Sequence, residues 1–472
     1  MNKKKDEFGD FQTPQSLTDA ICQHFSLKIF PKTIIEPTCG IGNFVLSGLK
    51  YFQTLNKIMA YDINENYIQK TVTRVKKLVI GKENCKINIQ PANFYQLDWS
   101  KILIQAEEPI LLIGNLPWIT NSELSQFQGL NLPEKANFEK ELGIHAIMGN
   151  SNFDISEWMI STILDSINQK KTFLIFICKT NVARKILRKI WTENKINVVA
   201  NIYKINARKL FSIAVDACIF ELSISNQLEN KSCNVYNNLG NDVIEKWGLH
   251  FNKIIRNIDL FLQSYTYYSR KNQEIKWRSG VKHNCRKILE LYKKNGQLYN
   301  LLGEKVDIED TYLFPYMKSS CLQKEDVIPR KWIIITQKSP SDNTEHISNV
   351  APKTWDYLIK HEEYFTNRKS RVFKKTKFSI FGVGDYTFKS WKIAISSMYK
   401  QIKFVKLGVY EDKPIVLDDT CYFLSFQDEQ QADNMLKHLN SSEIHSLLDA
   451  MTFWDDKRPI KINTLKHLKL SG

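Results

Sequence analysis

Residues 109–118 read PILLIGNLPW. The four aliphatics from Ile110 to Ile113 form the uniformly apolar run of a strand buried in the middle of a parallel sheet, and in such sheets chemistry gathers outside the strands' carboxyl ends. Asn115, Leu116, Pro117 and Trp118 are therefore expected to overhang a cleft. Asn115 offers a side-chain carbonyl, Leu116 a backbone carbonyl and Trp118 a flat apolar face, a set that suits a planar ring bearing an amino group.

The preceding stretches supply the rest of that sheet. TIIEPTCGIGNFVLSGLKYF, residues 33–52, is a strand with Glu36 at its tip, followed by a tight turn through Gly40 and Gly42 and a helix carrying Phe44, Leu46 and Leu49. Small residues there let backbone approach a ligand at a helix N-terminus, as in nucleotide sites, but the spacing is not G-x-G-x-x-G and the acid suits a cationic ligand. KIMAYDIN, residues 57–64, is a second strand ending on Asp62, where a carboxylate can accept hydrogen bonds from ribose hydroxyls. A third strand in INIQPANF, residues 87–94, is expected to end near Asn93 and Phe94. Before all of these, DEFGDFQTPQSLTDAICQHF reads as a loop and an amphipathic helix from Pro14, with Thr13 as its cap and Leu17, Ile21 and Phe25 as its buried stripe.

Asn115-Leu116-Pro117-Trp118 resembles the catalytic Asn-Pro-Pro-aromatic motif of amino-group methyltransferases, above all the DNA adenine-N6 enzymes, with Leu116 at the place of the first proline. That family makes its contact there through a backbone carbonyl, which leucine also has. EPTCGIGNF is similar to the family's S-adenosylmethionine motif, and FGDFQTP to its N-terminal cofactor motif. The resemblance implies cofactor contacts from Phe11, Gln12, Thr13 and Pro14, from Glu36, Pro37, Thr38, Cys39 and Gly40, from Asp62 and Ile63, and from Asn93 and Phe94. Many relatives have Asp-Phe at the last pair, and the Asn93 amide can still accept a bond from the cofactor's adenine amine. Phe211 aligns with an aromatic that touches the extruded base.

Beyond the catalytic loop, residues 119–151 are a polar insert expected to frame the substrate cleft. A helix capped by Asn152 or Asp154 follows, then the strand of KTFLIFICK, a basic helix, and two further strands in VVANIYKI and AVDACIFELSI with an antiparallel look. From about residue 236 Tyr, Trp, Lys and Arg interleave, and short strands are expected in KWIIITQ, KFSIFGVGDYTF, WKIAISSMY and DDTCYFLSF. Such a mixture suits a surface that follows a phosphate backbone. Gly382 and Gly384 read as a strand bend, since no helix follows to complete a phosphate loop. This half loosely resembles the family's C-terminal target-recognition domains, whereas the first 225 residues match well.

At 472 residues the chain exceeds the usual single-domain ceiling, and its net charge of +16 points to a polyanionic partner. Nine scattered cysteines without a C-x-x-C pair indicate reduced thiols and neither disulfides nor a zinc site; no signal peptide or membrane span is read, so the expected location is the cytoplasm. No Pro-Cys dipeptide occurs, which excludes the C5-cytosine nucleophile.

The expectation is thus an α/β, Rossmann-like class I methyltransferase domain with a mixed seven-stranded sheet over residues 1–235, and an α+β target-recognition domain over 236–472. The implied activity is methyl transfer from S-adenosylmethionine to the N6 amine of a flipped adenine in double-stranded DNA, within restriction-modification, any endonuclease being a separate chain. No metal and no membrane partner is expected. A protein-glutamine methyltransferase, an RNA adenine methyltransferase and a non-catalytic nucleic-acid-binding regulator remain alternatives.

Overall fold

A computed structural model describes residues 11–78, 85–119, 154–167, 169–194, 196–224, 231–270, 273–324, 327–368 and 376–470. The chain divides into two compact units, Met1–Ile258 and Asp259–Gly472. The polar insert lies almost wholly outside the described residues, as does Asn152.

The first unit is built on a ten-stranded mixed sheet. Its strands are β1 (Thr33–Glu36), β2 (Lys57–Asp62), β3 (Lys86–Pro91), β4 (Ile110–Asn115), β5 (Thr172–Lys179), β6 (Val198–Ile205), β7 (Ala217–Ile224), β8 (Ser232–Asn237), β9 (Val243–His250) and β10 (Lys253–Ile255). The order is β10-β9-β8-β6-β7-β5-β4-β1-β2-β3. From β3 through β2, β1 and β4 to β5 neighbours are parallel, and β7 runs antiparallel to both β5 and β6. The expected seven strands are β1–β7, and β8, β9 and β10 extend them beyond β6. Residue 235 therefore falls inside β8, and the sheet ends only at Ile255.

Among the described residues seven helices accompany these strands: α1 (Gln15–Ser26), α2 (Asn43–Tyr51), α3 (Glu65–Leu78), α4 (Trp99–Gln105), α5 (Ile155–Ser166), α6 (Thr180–Glu193) and α7 (Ala207–Phe211). Ile21, Phe25, Phe44, Leu49, Ile68 and Val75 from α1–α3 share one core with Ile34, Ile58, Leu111, Ile113 and Ile175 of the sheet. Because strand side chains alternate, Ile35, Met59, Leu112 and Phe176, also buried, belong to the opposite face. That double burial is why β1, β4 and β5 read as unbroken apolar runs. Asp154 caps α5 by accepting the Ser156 N–H at 3.2 Å. Thr13 does not cap α1: Pro14 holds the cap position and makes no side-chain bond, while Thr13 is buried.

The second unit is α+β, with a four-stranded sheet and a six-stranded sheet among the described residues. Strands form at Lys331–Ile334, Trp391–Ser396 and Cys421–Phe426, as expected. The stretch 377–388 is not a strand: Phe381 makes an isolated bridge to Lys282, and Asp385–Thr387 is a 3-10 turn. Gly382 has φ 77°, and a Cβ there would lie 2.7 Å from the Gly280 carbonyl oxygen, so the chain bends sharply where two backbones touch.

Candidate active site

Glu36, Asp62 and Asn115 are each the last residue of a strand, and those strands, β1, β2 and β4, are adjacent and parallel. Equal direction brings the three side chains to one edge, Asp62 and Asn115 each two residues further along than Glu36, at the point where the order reverses between β1 and β4. A cavity of about 380 Å³ opens there. Phe11, Gln12, Thr13, Glu36, Pro37, Thr38, Cys39, Gly40, Asp62, Ile63, Asn93, Phe94, Asn115, Leu116 and Pro117 all line it; Pro14, Trp118 and Phe211 do not.

The turn after β1 is held from three directions. Gly40 and Gly42 adopt φ 52° and 81°, conformations open to glycine at little cost. A Cβ on Gly40 would come within 2.5 Å of Gln12 Oε1, so a larger residue there would displace the Gln12 side chain from the turn. Gln12 Oε1 accepts the Ile41 N–H at 3.1 Å, and the Thr13 carbonyl accepts the Asn43 side-chain amide at 2.6 Å. Asp62 closes the loop, its Oδ2 accepting the Gly40 N–H at 2.7 Å and its Oδ1 the Asn64 N–H at 2.8 Å. A carboxylate has about four acceptor sites, so this anchoring is compatible with binding ligand hydroxyls as well. Asn93 differs from expectation: β3 stops at Pro91, and Asn93 Oδ1 accepts the Tyr95 N–H at 3.0 Å, capping the turn Phe94–Gln96.

Glu36 is 2% exposed and its Oε2 meets no donor among the described residues. Burial pushes its carboxyl well above the ordinary range, the Asp62 charge adds to this, and a bond from the Val45 N–H opposes it. Burial, followed by the same two acids, also raises the Cys39 thiol, which keeps it protonated and unreactive.

Asn115 is gripped through both ends. Its Nδ2 donates to the Phe11 carbonyl at 2.9 Å, and its backbone carbonyl accepts the Thr38 hydroxyl at 3.2 Å. An acceptor at Phe11 admits only the NH2 end of the amide, so Oδ1 is turned the other way, where it is buried and meets no donor among the described residues. The Leu116 side chain is 1% exposed, so the core reads its shape while its carbonyl belongs to the loop backbone. Trp118, Phe11 and Phe211 form an aromatic triangle beside this amide, with centroids 5.9 Å apart for Phe11–Trp118, 5.0 Å for Trp118–Phe211 and 6.4 Å for Phe11–Phe211. Phe211 ends the short helix α7 and does not lead directly into β7.

Further lining residues had no distinct signal in the sequence. Tyr67 projects from α3, and Ile155 and Met159 from α5, where each reads as a core position. Arg74 supports the site from behind: its guanidinium donates to the Ile41 carbonyl and, at 2.7 Å, to Asn43 Oδ1, yet a lone arginine in a basic helix looks like a solvated one.

Over 473 aligned residues the chain is 41% identical to the Type II methyltransferase M.NspV of Nostoc sp. (strain ATCC 29411 / PCC 7524), covering 100% of this chain and 98% of that protein. The fold is similar to that of the Type IIL restriction-modification enzyme MmeI, solved in complex with DNA, with a TM-score of 0.56 at 11% identity over 99% of this chain and 64% of the other. No family model matches the chain.

Proposed function

The chain belongs to the Type II methyltransferases, and from that membership we propose that it methylates the N6 amine of a specific adenine in double-stranded DNA, as the modification enzyme of a restriction-modification system. S-adenosylmethionine is the methyl donor, and when bound it supplies an electrophilic methyl on a cationic sulfur. The cavity suits it: two carboxylates face a space with no lysine or arginine among the described residues of its lining, one of them with an unpaired oxygen, beside a turn where glycine lets the ligand meet backbone.

One observation carries the choice of an amine as the acceptor: a buried amide oxygen, Asn115 Oδ1, fixed in direction by Phe11 and meeting no donor. A buried acceptor left unpaired costs about 1–3 kcal/mol, and an N–H of the substrate restores the bond. Asn115 Oδ1 and the Leu116 carbonyl accept the two hydrogens of the adenine amine, which concentrates its lone pair for in-line attack. Rate comes from positioning and from dipoles set against developing charge. The base leaves the duplex to get there, at a cost of a few kcal/mol of unstacking, and stacks in the aromatic corner of Trp118 and Phe211. Phe11, Gln12, Thr13, Glu36, Pro37, Thr38, Cys39, Gly40, Asp62, Ile63, Asn93 and Phe94 hold the cofactor, and Pro14 supports them from the cap position of α1.

The unit Asp259–Gly472 reads the target sequence. The chain's charge of +16 supports this, as do Lys318, Lys331 and Arg286 gathered about the buried Glu290, which leaves a local excess of cations. The protein acts in the cytoplasm, and any cognate endonuclease is a separate chain. The test is transfer of labelled methyl to duplex DNA followed by digestion to nucleosides. N6-methyladenine is expected, and label in cytosine, in RNA only or in protein only overturns the reading.

A further inference from the structure

Glu36 lines the cofactor cavity with an oxygen that meets no donor among the described residues, and the groups that face it from the described elements around it are neutral or acidic. β2 presents Asp62, its own loop presents Cys39, and α1 presents Cys22, each close enough to interact electrostatically with Glu36. α2 presents the Val45 N–H. β4 presents Gly114, where a Cβ would lie 3.7 Å from Glu36 Cγ, so the side of the acid toward the catalytic strand is bare. No cation lines the cavity among the described residues. Two carboxylates in such a place do not both ionise readily, and burial with the Asp62 charge leaves Glu36 protonated to well above the ordinary carboxylate range.

We propose that Glu36 gives up a proton to solvent as the cationic amino-acid end of S-adenosylmethionine enters, so that the cavity selects for positive charge and cofactor capture is a proton exchange. This rests on reading the cavity as the cofactor site. The O–H bond of the carboxyl breaks, the proton passes to water or buffer, and the carboxylate that remains pairs with the ligand's cation. Nothing is oxidised or reduced. The sign follows from the two states. The free carboxyl titrates high and the occupied one low; between those limits binding releases a proton and tightens as pH rises. Outside them it does neither.

The experiment is calorimetric titration of the full chain with S-adenosylmethionine at about pH 6, where the ligand's own α-amino group stays protonated. Repeating it in buffers of different ionisation enthalpy gives the number of protons exchanged. The expected release is about one proton, with affinity rising by up to about tenfold per pH unit across the window. Adenosine, which has the nucleoside but no cation, should bind with about none released. Glu36→Gln should bind S-adenosylmethionine without release, and if that variant misfolds, the wild-type proton count with the two ligands still decides. Binding of S-adenosylmethionine by wild type with no proton released from about pH 5 to pH 7, or equal release by adenosine, overturns the proposal. Absence of any S-adenosylmethionine binding instead overturns the cofactor reading on which it rests.

Discussion

Asn115→Ala removes two things at once: the bond from Nδ2 to the Phe11 carbonyl at 2.9 Å, and the unpaired acceptor Oδ1. The first is a structural loss of about 0.5–1.5 kcal/mol net, which in a unit of this size lowers the melting temperature by roughly 2–4 °C per kcal/mol. The second is a loss of transition-state stabilisation. Deleting one preorganised polar group of this kind costs about 100- to 1000-fold in rate, or about 2.7–4 kcal/mol of barrier. Turnover should therefore collapse while the fold and the affinity for S-adenosylmethionine survive. The assay is single-turnover transfer of labelled methyl to duplex DNA, so that product release cannot mask the chemical step, alongside a thermal melt. Asn115→Asp is the informative second arm. It retains an acceptor but turns an oxygen toward the Phe11 carbonyl in place of a donor, so it should lose the aim of the group and be slower than wild type. If Asn115→Ala transfers methyl at the wild-type rate, the role given to this amide is wrong; if only Asn115→Asp does so, the Phe11 bond has no part in aiming it.

Asp62→Ala strips the Gly40 and Asn64 N–H groups of their acceptor as well as a ligand contact, and should weaken S-adenosylmethionine binding by about 10- to 100-fold; unchanged affinity on titration takes Asp62 out of the site. Leu116→Pro keeps the backbone carbonyl but gives up a buried side chain, so the protein should melt lower, by roughly 1–3 kcal/mol, with methyl transfer within a few-fold of wild type. A rate as low as that of Asn115→Ala would show that the loop needs more from this residue than its carbonyl. In the second unit, burial alone would raise Glu309, but bonds from the Thr354 hydroxyl and from the Lys353 and Thr354 N–H groups outweigh it and bring it down to about 2. Its folded value lies below its unfolded one, so its contribution to stability is complete above the ordinary 4.5 and is lost as pH falls toward 2. The melting difference between wild type and Glu309→Gln should shrink across that window; a difference that stays constant there contradicts the assignment.

The residues that were legible beforehand share one geometry. Glu36, Asp62 and Asn115 each stand at the end of an apolar run and before small or loop-forming residues, so strand polarity alone puts them on the same edge. Thr13 misled because a threonine before proline and a helix is the usual picture of a cap, whereas here the segment turns inward to lie on the glycine loop. The added strands β8–β10 were hidden by their mixed exposure, since half-exposed polar strands have no run to recognise. For Asn93 only its place near the cavity was legible; its bond from the Tyr95 N–H depends on where β3 stops. Tyr67, Ile155 and Met159 reach the cavity from helices, and a helical pattern tells which face is apolar but not what that face meets.

The short segment from Phe11 to Thr13 touches the glycine turn through Gln12 and Thr13 and the Asn115 amide through the Phe11 carbonyl. On the proposed reading, this segment links the two binding events: a change that a filled cavity makes in its seating is a change in the direction of the Asn115 amide, and so in affinity for the methyl acceptor. Reciprocity then requires the base to alter cofactor affinity by the same factor. The coupling expected on that reading is measurable as the ratio of cofactor dissociation constants with and without duplex DNA.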